Sequence, residues 1–266
     1  MTRRLTTPTT IWLTGATSGI GRALAEQLVA RGHRLIASGR NESALEALQA
    51  LNSERVMPLA LDTTSQEDLA QARAAFDQPW PLQMVILNAG TCEYLDPADY
   101  QSSVVEANLT TNVIGTSRCI EAALPALRQA RAQGLPATLV IVSSSAWWFP
   151  FGRAEGYGAS KAALSYLAHA LRADLAAEGI EVVTVSPGFV KTPLTDRNDF
   201  PMPFLIDADD AAGRIISGLE KGRRDIEFPR RFTWTLRLLG ALPRCLIDRM
   251  AAAMSRNQKN QQEANQ

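Results

Sequence analysis

A glycine-rich turn between a short apolar run and an amphipathic pattern limits this chain more than any other feature. Ile11-Trp12-Leu13 leads into Thr14-Gly15-Ala16-Thr17-Ser18-Gly19-Ile20-Gly21, after which Ile20, Ala23, Leu24 and Leu28 repeat at helical spacing and Gly32 marks a stop. In a strand–turn–helix context, glycines let backbone approach a pyrophosphate, and the helix N-terminus offers free N–H groups with a partial positive charge. The turn therefore predicts a nucleotide site built from Gly15, Thr17, Ser18, Gly19, Ile20 and Gly21. Its spacing is Gly-x3-Gly-x-Gly, whereas the common dinucleotide fingerprint is Gly-x-Gly-x2-Gly. A plain tight turn is the competing interpretation.

The same alternation continues down the chain. Strands are expected at 34–38, 56–61 (with Pro58 inside), 84–87, 138–142, 180–185 and within 223–229. Between them, Asn41 and the Ser65/Asp68 pair read as helix caps. A long helical region over 100–132 is expected to break at Pro125, another helix covers 157–178, and Asp207 and Asp210 should cap a third. Alternating β and α segments predict an α/β, doubly wound parallel sheet of the Rossmann type, in a single domain. Residues 1–228 form that domain, including a substrate lid at about 193–222; 229–254 form a C-terminal helical arm, and 255–266 a polar, disordered tail. The second strand ends at Gly39-Arg40 with no acidic residue, and an arginine there suits a 2′-phosphate. NADP(H) is expected over NAD(H).

Composition narrows the partners. Lys+Arg and Asp+Glu balance at 27 each, so no whole-chain affinity for nucleic acid is expected. Cys92, Cys119 and Cys245 have no metal-ligand spacing and suit a reducing compartment. His33 and His169 read as structural, and no metal is expected. The N-terminal segment lacks a secretory pattern, and no run is long and apolar enough to span a bilayer, which points to the cytoplasm.

Chemistry concentrates at Tyr157 and Lys161, four residues apart and hence on one helix face. An ammonium beside a phenol favours the phenolate and so brings a poor base toward neutral pH. Ser143-Ser144-Ser145 ends the fifth strand, and Asn108 and Asn112 stand within a helix, where asparagine needs a packing or hydrogen-bonding reason.

Taken together these segments resemble the short-chain dehydrogenase/reductase family, in its compact single-domain branch. The resemblance runs from the first strand to about Asp225 and rests on Thr14-Gly15-x3-Gly19-x-Gly21, Asn88-Ala89-Gly90, Tyr157-x3-Lys161 and Pro187-Gly188-x-Val190-x-Thr192, in that order. It removes the misfit in the glycine spacing. It implies Tyr157 as general acid/base, Lys161 as the group that lowers its pKa and binds the nicotinamide ribose, and Ser144 as the polariser of the substrate oxygen. Asn112, three before a glycine, would hold a water in a proton relay. Asp62 would meet adenine, Asn88, Ala89 and Gly90 the adenine ribose region, and Pro187, Gly188, Val190 and Thr192 the nicotinamide side.

Residues after strand ends should face the substrate. After Ser144 these read Ala146-Trp147-Trp148-Phe149, with Trp147 and Trp148 foremost, and after Thr192, further on, Phe200-Pro201-Met202-Pro203-Phe204-Leu205; aromatic and uncharged, they predict a mostly apolar ketone or aldehyde. The apolar positions of the 157–178 helix spread widely enough to suggest a homodimer or homotetramer. Two other functions compete with a reductase: an NADP(H)-binding sensor or scaffold without turnover, and a membrane-docked lipid reductase. The second rests on the basic and apolar arm, which is favoured to pack on the body but could lie on a membrane surface.

Overall fold

A computed structural model describes residues 5, 8–76, 80–198 and 200–264. The first half alternates β1 (Thr10–Thr14), α1 (Gly19–Ala30), β2 (Arg34–Gly39), α2 (Glu42–Leu51), β3 (Val56–Ala60), α3 (Gln66–Ala75) and β4 (Met84–Leu87). Next come α4 (Ser102–Leu109), α5 (Thr116–Ala132), β5 (Ala137–Val142), α6 (Glu155–Asp174) and β6 (Ile180–Pro187). The chain closes with the short strands β7 (Val190–Lys191) and β8 (Ile206–Asp207), then α7 (Ala208–Glu220), β9 (Asp225–Phe228), α8 (Arg230–Gly240) and α9 (Arg244–Ala264).

Among the described residues the main sheet has seven strands in the order β3-β2-β1-β4-β5-β6-β9, and every pairing is parallel. The order reverses between β1 and β4, which opens a crevice at their carboxyl ends. Central strands buried on both faces should be apolar throughout, and β4 and β5 are buried at every position. One core lies between the sheet and α1, α2 and α7; the other lies under α3, α5 and α6. Trp12 shows how tightly this is built. Its ring is fully buried against Phe76 at 4.9 Å, and its Nε1 donates to Ser38 Oγ at 2.8 Å, so the indole N–H is not left unpaired.

Pro58 is accommodated because β3 is the outer strand and pairs only with β2. Asn41 and Ser65 cap α2 and α3 by accepting from Ala44 N and Asp68 N. Four expectations need correction. Pro125 lies inside α5 without ending it; the break falls earlier, in a π-helical turn at Thr110–Gly115. Asp207 precedes α7 but its side chain makes no capping bond, while Asp210 pairs with Arg214. The expected lid runs too far: α7 buries Ala211, Ala212, Ile215, Ile216 and Leu219 in the core and so belongs to the body, while Pro193, Leu194 and Thr195 line the cleft. The helix α9 also continues to Ala264, into the stretch read as disordered, where Ala, Arg, Lys, Gln and Glu are good helix formers. Residues 265–266 of that tail lie outside the described residues. His33 is buried, but His169 is 53% exposed and approaches Asp225 at 3.8 Å, so it is no packing residue.

Candidate active site

The crevice between β1 and β4 is floored by the glycine turn. Gly15 and Gly19 hold φ of +67° and +51°, the left-handed region that favours glycine. A Cβ at Gly21 would lie 2.0 Å from the Gly15 carbonyl oxygen, so nothing larger fits beneath the turn. Thr14 Oγ1 accepts from Asn88 N and Ala89 N, both at 3.1 Å, and Asn88 Nδ2 donates to the carbonyls of Thr14 and Gly15 at 3.2 and 3.3 Å. The end of β4 is thereby stitched to the turn. Both amide hydrogens of Asn88 are committed, which leaves only its Oδ1 for a ribose hydroxyl.

Fourteen of the residues singled out in the sequence line one cleft: Gly15, Ser18, Gly19, Ile20, Asn88, Ala89, Gly90, Ser144, Tyr157, Lys161, Pro187, Gly188, Val190 and Thr192. Thr17 and Arg40 stand apart at the end of β2, where a Cβ on Gly39 would meet the Thr17 side chain. Arg40 is exposed there. Asp62 accepts from Thr64 N at 2.8 Å and Thr64 Oγ1 at 2.7 Å, and these bonds, chiefly the backbone one, hold its carboxyl below the usual range. The charge of Arg40 adds to that effect, so the two residues share one corner.

At the other end of the cleft, Tyr157 lies in the first turn of α6 and Lys161 one turn on. The Tyr157 hydroxyl lies beside Ser144, which favours its ionised form, and Ser144 Oγ accepts from Ala146 N at 3.1 Å. The neighbouring serines are used elsewhere: Ser143 Oγ donates to Lys161 O and meets Ser165 Oγ, each at 2.8 Å, and Ser145 is buried. Lys161 Nζ donates to Val142 O at 3.1 Å and lies 5.7 Å from the Tyr157 ring centre. Burial pushes the lysine down to about 8. Tyr157 departs from expectation. Desolvation in the cleft, reinforced by the adjacent Cys92, pushes its pKa up, and only Ser144 opposes this. The lysine faces a backbone carbonyl and is itself desolvated, so the protein alone does not draw the phenol toward neutrality.

Asn112 is fully buried in the π-helical turn. Its Oδ1 accepts from Thr91 N at 2.8 Å, and its Nδ2 donates to Thr91 O and Ser160 Oγ, both at 2.9 Å. Asn108 repeats the device one turn earlier: Oδ1 accepts from Glu93 N at 3.2 Å and Nδ2 donates to Glu93 O at 3.0 Å. Two helix amides thus pair with alternate residues of the extended loop after β4, as a neighbouring strand would. This is the reason for both mid-helix asparagines. It also consumes both side-chain donors of Asn112, so a relay water would have to use another atom.

Trp147 and Trp148 are not in the cleft, which corrects their assignment to the substrate. Trp148 packs on the C-terminal arm, with the Arg237 guanidinium 4.8 Å from its ring centre, and Trp147 leans on Trp148 at 5.3 Å. The aromatic side chains beside the site are Phe200, which the sequence offered, and Tyr94 and Phe189, which it did not. Tyr94 meets Phe200 edge-on at 6.0 Å, and its hydroxyl donates to Asn198 Oδ1 at 2.6 Å. Phe200 meets Phe189 at 6.0 Å. Cys92 and Thr91 beside Tyr157 were also missed, although they directly follow Asn88-Ala89-Gly90; burial pushes the Cys92 thiol up to about 11.

The glycine turn, the β1/β4 crevice and the Ser144–Tyr157–Lys161 cluster define a dinucleotide-dependent oxidoreductase scaffold, and comparison with known proteins places it. Residues 9–200 match the family model described as short chain dehydrogenase. The chain is 36% identical over 249 residues to an uncharacterized oxidoreductase of Myxococcus xanthus (strain DK1622), covering 91% of this chain and 96% of that one. It is 31% identical over 183 residues to an NADP-dependent 3-hydroxy acid dehydrogenase of Salmonella typhi, covering 68% and 72%. A short chain dehydrogenase from Burkholderia cenocepacia J2315, solved in complex with NADP, superposes with a TM-score of 0.79 at 25% identity, covering 91% and 97%. The chain belongs to the short-chain dehydrogenase family and is an oxidoreductase.

Proposed function

We propose that the protein is an NADP(H)-dependent reductase of ketones or aldehydes, reversible toward the alcohol. The observation that carries this is that Ser144, Tyr157 and Lys161 line the same cleft as the glycine turn, with Lys161 one turn of α6 beyond Tyr157. The cradle suits a dinucleotide: Gly15, Gly19 and Gly21 leave room where any side chain would intrude, and the N-terminus of α1 faces the same space. When bound, the nicotinamide cofactor supplies the hydride. Tyr157 gives its phenolic proton to the carbonyl oxygen as that oxygen gains charge, and takes a proton back from the alcohol in reverse. Ser144 donates to the same oxygen and holds it toward Tyr157. Lys161 binds the cofactor's ribose and returns a proton to the phenolate. Asn112 fixes Thr91 and the loop that walls the substrate space.

A raised phenol pKa fits this assignment in the reducing direction. A protonated Tyr157 is the form that donates, and the positive charge of an oxidised nicotinamide would favour its phenolate after transfer. Tyr94, Phe189 and Phe200 support an apolar substrate. A panel of hydrophobic ketones and aldehydes is expected to consume NADPH, measured by the loss of its absorbance. The absence of any turnover with such compounds would leave the scaffold as a binder only.

Arg40 supports the phosphorylated cofactor. Arg40→Ala is expected to raise the KM for NADPH by about tenfold to a hundredfold, since a charge-assisted contact contributes roughly 1.5–3 kcal/mol. The KM for NADH should change by less than about twofold. Parallel losses for both cofactors would remove the 2′-phosphate assignment. The face of α6 that carries the 80%-exposed Tyr166 is open for a second subunit, which fits a homo-oligomer.

A further inference from the structure

The helical arm does more than cap the body. Its inner face is buried: Phe232, Leu236 and Ile247 pack with Phe149 in a separate apolar cluster, flanked by Trp148, Phe151 and Phe189. Its outer face is apolar as well. Trp234 is 55% exposed and Leu238 65% exposed, and at i, i+4 they share one side of α8. Leu242, Leu246 and Met254 are further exposed apolar side chains of the arm. A helix that has already buried one stripe does not need large apolar side chains on the opposite one. Contiguous exposed apolar residues of this kind mark a surface that meets something.

The charge pattern identifies what. Between 230 and 254 the arm carries Arg230, Arg231, Arg237, Arg244 and Arg249 against the single acid Asp248, on a chain whose overall net charge is zero. All five arginines are exposed, and only Arg237 is held in an ion pair with Glu227 among the described contacts of the arm. Arg230 and Arg231 stand on α8 one turn before Trp234, so basic heads and the apolar stripe point the same way. Two copies joined through this face would bring like guanidinium charges together. An anionic lipid surface would neutralise them while accepting Trp234 and Leu238. Among the described residues no helix is long and apolar enough to cross a membrane, so the arm would lie in the interface.

We propose that the outer face of the α8–α9 arm docks on an anionic membrane surface. The arm's inner side ties this face to the cleft. Phe232 meets Phe189 at 5.3 Å and Phe204 at 6.3 Å, and Phe189 meets Phe200 of the segment covering the site. Docking would therefore hold the membrane surface one helix away from the aromatic cluster beside the cleft. The proposal depends on no assignment of the catalytic residues.

Flotation of the full chain tests it directly. The protein is expected to rise with phosphatidylcholine vesicles containing phosphatidylglycerol and to stay behind with phosphatidylcholine alone. High salt should weaken the binding, since surface attraction is screened. Trp234→Ala/Leu238→Ala and Arg230→Gln/Arg231→Gln should each reduce vesicle affinity by about tenfold or more, with NADPH binding and the thermal melt of the free protein unchanged. Failure of the intact chain to bind either vesicle overturns the proposal. So does equal flotation by the variants, or a Trp234→Ala/Leu238→Ala protein that changes from dimer to monomer while the wild type ignores vesicles; that last result would assign the face to a second copy.

Discussion

Tyr157→Phe is expected to lower kcat for carbonyl reduction by roughly 10²- to 10⁴-fold, the range for removal of a positioned general acid. The affinity for NADPH should stay within about twofold, because the ring remains and the glycine turn, Arg40 and Lys161 are unchanged. The variant should also fold as well as the wild type. Phenylalanine keeps the volume of the side chain, and the lost hydroxyl is one whose surroundings already disfavour its charged form. Single-turnover measurements with saturating NADPH would read the effect on the chemical step. A variant that turned over like the wild type would move the acid elsewhere, with Cys92 as the nearest titratable neighbour.

Lys161→Met is expected to separate stability from activity. Burial brings Lys161 from 10.5 down to about 8. A cation whose folded pKa lies below its unfolded value makes the unfolded state the better proton binder, so stability rises with pH through that window, from about 8 to about 10.4. Below it, at neutral pH, the buried ammonium is a full destabilising charge, on the order of 2–3 kcal/mol by linkage. Removing it leaves the Val142 carbonyl without its donor, at about 1 kcal/mol. The net expectation is a variant more stable by about 1–2 kcal/mol, with a Tm higher by roughly 2–6 °C and kcat lower by about 10²-fold or more. Its stability between pH 7 and 10 should lose the upward slope of the wild type. A Tm that falls at neutral pH, or an unchanged slope, would show that Lys161 is not desolvated in solution.

Much of this was legible in the chain. Local rules acted alone at the glycine turn, where positive φ and close backbone approach leave no alternative to Gly15, Gly19 and Gly21, and at Asn41 and Ser65, whose short side chains reach only the next helix's N–H groups. The glycine turn, Asn88-Ala89-Gly90, Ser144 and the Pro187 motif arrived in one cleft because each stands at the carboxyl end of a strand, and a parallel sheet brings those ends to one edge, where the start of α6 adds Tyr157 and Lys161. What could not be read depended on tertiary partners. The two tryptophans after Ser144 had the composition of a pocket wall, but their partners were Arg237 and the arm, nearly ninety residues away. Tyr94 joins Phe200, which the sequence did offer, through a contact between two loops with no periodicity of their own. Pro125 was tolerated inside α5, and the helix broke instead where Asn108 and Asn112 engage the loop. Spacing fixes a helix face for Tyr157 and Lys161, whereas the direction of an ammonium within that face depends on what it bonds, here the Val142 carbonyl.

That asparagine pairing carries a further consequence for change in the molecule. Thr91 and Glu93 are two apart along an extended segment, and Asn112 and Asn108 are four apart along a helix; the two rulers match only at this setting. Surface loops commonly drift in length between relatives, but one residue added or removed on either side here would slide both amides off their peptide units together. Diversity at this wall is therefore confined to exchanging the side chains of Cys92 and Tyr94 on a backbone of frozen length, and anyone reshaping the pocket should substitute there and splice elsewhere.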